Sequence, residues 1–117
     1  MIKTALTSLL LFFATHSYSH DYPFVIEEMA TLDQPWAMTF LPDGNFLVTE
    51  KPGKMLMMNQ AGETLAEISG VPEVVYGGQG GLGDVVIHPD FNENKNVYIS
   101  FAEEGENDTR GAAVVKA

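Results

Sequence analysis

The sequence predicts an all-β protein built as a β-propeller, of which this chain covers about the first two blades. Three observations lead there. Short apolar runs of strand length alternate with tight turns rich in Pro, Asp and Gly. No segment sustains apolar residues at helical spacing. The order of runs and turns also repeats. Pro42 and Pro89 stand in matching turns about 47 positions apart, within the roughly 40–50-residue period of a four-stranded blade. A β-sandwich would also show many short strands, but the turn-for-turn match favours the propeller.

The chain opens with a segment that reads as an export leader. Lys3 supplies the positive start, Ala5 to Thr15 is an apolar run too short to span a bilayer, and Ser17-Tyr18-Ser19 has the small-x-small order of a cleavage site. The alternative is a short buried helix. The terminal position and the polar shift at His20-Asp21 favour a leader over residues 1–19. Residues 20–117 are then the N-terminal part of an incomplete propeller domain, periplasmic or secreted.

Trp36 to Leu41 alternates and carries an aromatic at each end of one face, which predicts the first strand. Pro42-Asp43-Gly44 turns, glycine supplying a positive φ that other residues resist. Phe46 to Thr49 is the second strand, Pro52-Gly53 the next turn, and Lys54 to Met58 the third strand. Ala61-Gly62-Glu63 turns into a weaker fourth strand, Thr64 to Ile68. The pattern restarts with Asp84 to Ile87 before Pro89-Asp90, then Val97 to Phe101, and Gly111 to Lys116 begins a further strand. Trp36, Met55, Met57 and Met58 are expected to pack between blades, methionine filling irregular gaps.

Composition excludes several function classes. The 117 residues hold 16 acidic and 6 basic side chains, a formal net charge of −10. Lys51, Lys54, Lys95, Arg110 and Lys116 are scattered, so no basic patch suits nucleic acid or an anionic membrane. No apolar stretch after the leader is long enough to span a membrane. Without cysteine there is neither a disulfide framework nor a thiolate metal site.

The stretch GGQGGLGDVVIHPDF, Gly77 to Phe91, is the main candidate for chemistry. Gly78-x-Gly80-x-x-Gly83 spells a dinucleotide fingerprint, but that motif opens a helix, and here β-branched Val85-Val86-Ile87 follows. Read structurally, the glycines let the chain cross from one blade to the next. Read functionally, they bring Gln79 close to a ligand, its amide offering both a donor and an acceptor. His88 reads as a structural residue of the His-Pro-Asp turn. Asp90-x-Asn92-x-Asn94-x-Asn96 lacks the glycine and glutamate of a calcium loop, since Lys95 and Phe101 stand at those places. Residues 103–108 form an acidic turn.

Several motifs together resemble the soluble quinoprotein sugar dehydrogenases, the glucose/sorbosone dehydrogenase family. They are Leu32 to Met38, Leu41-Pro42-Asp43-Gly44, Val48-Thr49-Glu50-Lys51, Gly70 to Val74, and above all Gly78 to Phe91 followed by Asn96 to Ser100. The resemblance implies a six-bladed propeller that binds pyrroloquinoline quinone (PQQ) with calcium. It implies oxidation of an aldose sugar at C1 by a histidine base, hydride passing to the quinone and then electrons to an external acceptor. It places the base, the quinone clamp and the calcium ligands beyond Ala117, and leaves Gln79 as the one substrate-binding residue within the chain. A non-redox propeller, either an NHL-like binding module or a gluconolactonase-like hydrolase, shares the turns at Pro42 to Asn45 and Lys51 to Lys54.

Overall fold

The computed structural model describes residues 23–117, so the leader expected over residues 1–19 lies outside the described residues. Four strands form the first sheet in sequence order: β1 (Pro35–Phe40), β2 (Phe46–Glu50), β3 (Lys54–Met58) and β4 (Thr64–Glu67). The second sheet holds β5 (Leu82–Ile87), β6 (Val97–Glu104) and β7 (Arg110–Lys116). Every pairing is antiparallel, which makes each sheet a meander. One helical turn, α1 (Phe91–Asn94), joins β5 to β6.

Turn chemistry explains the connections in the first sheet. The Gly44 N–H donates to the Leu41 carbonyl at 3.0 Å, with Gly44 at φ +88°, and the Asp43 carboxylate accepts the Asn45 N–H at 3.0 Å. Such a tight turn returns the chain so that Phe40 faces Phe46 across the ladder, their rings edge to face at 5.8 Å.

Side-chain alternation then divides the first sheet into two faces. Leu47 and Met55 point toward the second sheet and pack with Leu82, Val85, Val97 and Ile99. Each such buried side chain contributes about 1.5–3 kcal/mol relative to exposure. This shared core holds the two sheets face against face, with β1 beside β5, as successive blades of a propeller.

The opposite face of the first sheet carries a separate cluster of Val48, Leu56 and Met58, flanked by Leu32 and Phe46. Met55 and Met57 therefore pack toward the second sheet as expected, whereas Met58 and Trp36 do not. Met58 shares the face of Leu56, two positions away. Trp36 falls where the β1–β2 register shifts between Pro35 and Ala37, and its side chain remains 56% exposed.

Strand limits differ from the sequence reading at two functional places. β5 begins at Leu82, inside the glycine run, because Leu82 is buried in the shared core. β6 runs on through Glu103 and Glu104, whose partners Gly111 and Arg110 continue the ladder although both side chains face solvent.

Candidate functional site at the glycine turn

Gly77, Gly78, Gln79 and Gly80 make a tight turn just before β5. The Gly80 N–H donates to the Gly77 carbonyl at 2.9 Å, closing it. Gly78 sits at φ +57°. Behind the turn, Gly81 at φ +134° lies so close to β2 that a Cβ there would stand 2.3 Å from the Lys51 carbonyl oxygen. Only glycine admits that approach.

The turn is tied to its surroundings at several points. The Lys51 ammonium donates to the Gly78 carbonyl at 2.9 Å, and the Leu82 N–H donates to the Lys51 carbonyl at 2.9 Å. The Ala102 N–H donates to the Gly81 carbonyl and the Val75 N–H to the Ala102 carbonyl, each at 2.9 Å. The Gln34 amide donates to the Tyr76 hydroxyl. Buried Glu50 accepts the Asp33 N–H at 2.7 Å and so holds the segment leading into β1.

Next along the chain, β5 bulges at Gly83-Asp84. The backbone groups freed there find side-chain partners. The Asp84 N–H donates to Ser100 Oγ at 2.8 Å, and the Gly83 carbonyl accepts from Thr49 Oγ1 at 2.6 Å.

Gln79 lies exposed at the rim of a cleft of about 360 Å³. Gly80, Gly83, Ser100, Phe101 and Arg110 are among its lining residues. Sequence reasoning missed Arg110, because only the β6–β7 pairing opposite Glu104 brings it to the glycine turn. The cleft thus offers an amide, a hydroxyl and a guanidinium, a set suited to a polyhydroxy ligand. Arg110 is the one cation lining it, while Lys51 at its margin is already committed to Gly78. Among the described residues no three His, Cys, Asp or Glu gather as a metal site. On their own these residues do not fit an acidic quinone with calcium.

His88 lies at the far end of β5, about 20 Å along the strand from the glycine turn. Its Nδ1 accepts the Asp90 N–H at 3.0 Å and sits 3.0 Å from the Asn94 amide nitrogen, and its ring stacks on Tyr98 at 6.0 Å. These contacts tie the ring into the His-Pro-Asp turn. The dinucleotide spelling fails for the stated reason, since the glycine run opens into β5 and not a helix. The Asp90 to Asn96 stretch folds as α1 with Lys95 in the left-handed conformation.

Two stacked antiparallel sheets, the second carrying a polar cleft lined by the glycine turn, β5, β6 and β7, have the build of successive β-propeller blades. The chain matches the Glucose / Sorbosone dehydrogenase family over residues 32–117, and it belongs to that family. It is 45% identical over 84 residues to the aldose sugar dehydrogenase YliI of Escherichia coli K12, covering 71% of this chain and 23% of that one. The structure resembles the soluble aldose sugar dehydrogenase of Escherichia coli in its apo form, with a TM-score of 0.69 and 41% identity over 73% of this chain and 25% of that one. It also resembles the PQQ-bound aldose sugar dehydrogenase of Streptomyces coelicolor, with a TM-score of 0.68 and 26% identity over 79% and 27% of the two chains. The chain therefore spans about a quarter of the length of these relatives. The family match, and not the turns at Pro42 to Asn45 and Lys51 to Lys54, is what separates this chain from the NHL-like and gluconolactonase-like propellers.

Proposed function

We propose that the complete protein is an exported dehydrogenase that oxidises an aldose at C1 to the lactone, and that the present chain supplies the first two blades and one lip of its substrate opening. The observation that carries this is the glycine turn holding Gln79 over a polar cleft, within a chain matched to the sugar dehydrogenase family. PQQ, with calcium, would supply the redox chemistry by accepting hydride from the sugar. The residues present here do not hold that group, so their part is confined to the sugar.

Gln79 can donate one hydrogen bond and accept another, which fixes the orientation of a hydroxyl pair without titrating near neutral pH. Orientation of this kind acts by holding the reacting carbon in place, not by moving its proton. The base is expected beyond Ala117. An external acceptor would reoxidise the cofactor.

The test is dye reduction by the complete protein, reconstituted with PQQ and calcium and supplied with glucose and other aldoses. Cofactor-dependent turnover with lactone as product supports the reading. Turnover that is indifferent to PQQ, or hydrolysis of a lactone in its place, refutes it.

A further inference from the structure

One residue of the first sheet grips the glycine turn at both ends. Lys51 follows β2 directly. Its side chain holds the Gly78 carbonyl at 2.9 Å, and its backbone carbonyl accepts the Leu82 N–H at 2.9 Å. Its own N–H donates to the Gln34 carbonyl at 3.1 Å, and its ammonium stands 5.2 Å from the centre of the Trp36 ring. The aromatic face is a second attraction for the cation at the same place.

The bond to Gly78 falls at the conformationally decisive point of the turn. Positive φ occurs at Gly78 and not at Gln79, which is the sign pattern of a type II′ turn. A type I′ turn differs in having positive φ at both central residues. The two forms interchange by rotation of the peptide plane between Gly78 and Gln79. The carbonyl of that plane is the one Lys51 holds. Rotation would break a charge-assisted hydrogen bond, put a non-glycine residue at positive φ and redirect the Gln79 side chain.

We propose that Lys51 is a positioning residue for Gln79, pinning the Gly78 carbonyl so that the turn stays in its II′ form and the amide stays over the cleft. The inference rests on the reading of Gln79 as substrate-binding. Lys51 itself need not touch the sugar. Its length matters as well as its charge, because the ammonium reaches from the end of β2 to the glycine turn that precedes β5.

The experiment compares Lys51→Met, Lys51→Arg, Gln79→Ala and the double variant Lys51→Met/Gln79→Ala in the complete PQQ-loaded protein. Steady-state kinetics, PQQ absorbance, thermal midpoint and amide hydrogen exchange over residues 77–82 are measured on each. Lys51→Met should lower kcat/KM for an aldose about tenfold and add nothing further in the Gln79→Ala background. Exchange at Gly80 and Leu82 should quicken, with PQQ content unchanged, and Lys51→Arg should restore most of the rate. Equal losses from Lys51→Met in both backgrounds would show that Lys51 acts independently of Gln79 and overturn the proposal. So would a fall in thermal midpoint without faster exchange confined to residues 77–82. If Gln79→Ala alone is neutral, the reading of Gln79 fails and takes this proposal with it. If Gln79→Ala is slow but Lys51→Met is normal, only the role of Lys51 fails.

Discussion

The Thr49 hydroxyl donates to the Gly83 carbonyl at 2.6 Å, joining the second strand of one sheet to the bulge in the first strand of the next. Thr49 is fully buried, and the same oxygen stands 3.2 Å from the Ala37 N–H. Thr49→Val keeps the shape and removes both bonds, leaving the half-buried Gly83 carbonyl and the Ala37 N–H without this partner. The expected loss is about 1–3 kcal/mol of stability in the complete protein. Denaturant unfolding of the two forms measures it, and an unchanged midpoint would show that water replaces the hydroxyl.

Gln79→Ala should leave PQQ bound and slow the oxidation of the sugar. An oriented hydrogen bond lost from the transition state is worth about 1–3 kcal/mol, or about 10- to 100-fold in kcat/KM. Because an amide does not titrate near neutrality, the pH profile should keep its shape. Kinetics across pH, with cofactor content checked by absorbance, test both statements.

His88→Ala should act on stability and not on turnover. Its Nδ1 accepts from the Asp90 N–H at the start of α1, far from the cleft. The half-buried site limits the loss to about 0.5–1.5 kcal/mol. A folded, PQQ-loaded His88→Ala protein without turnover would contradict the placing of the site at the glycine turn.

Residues 20–117 alone should give no steady dye reduction with PQQ, calcium and glucose. Trp36, Met38 and Phe40 stand 56%, 50% and 61% exposed along one face of β1, a surface that a further blade would cover. An uncovered apolar face of this kind, with β7 left as a sheet edge, favours association over a stable monomer. Light scattering and a dye assay on the purified segment examine this. Sustained turnover would overturn it.

Export should remove residues 1–19. The order of Lys3, an apolar run and Ser17-Tyr18-Ser19 predicts a new terminus at His20. N-terminal sequencing of the exported protein checks it, and an intact Met1 would rule out the leader.

Much of the architecture was legible in the sequence because strands and turns are local. Period-2 alternation in Trp36 to Leu41 and the Pro42-Asp43-Gly44 turn specify their own conformations, so all seven strands were anticipated to within a few residues. The resemblance carried by Gly78 to Phe91 pointed to the family for a related reason: a glycine that must lie against another backbone leaves its mark in the chain. Gly81 is such a glycine, and its neighbour Gln79 stood out with it.

What meets across the sheets was decided by tertiary structure alone. Nothing local to Lys51 says that its ammonium reaches Gly78, nor does Thr49 announce a bond to Gly83. Arg110 enters the cleft only through the register of β6 on β7. Trp36 read as an aromatic packed between blades, and it lies with Met38 on the face of the first sheet turned away from the second, where it is 56% exposed. Alternation tells which residues share a face. It does not tell which face meets the neighbouring sheet, and that depends on how two twisted sheets stack to bury Leu47, Met55, Leu82 and Ile99 together.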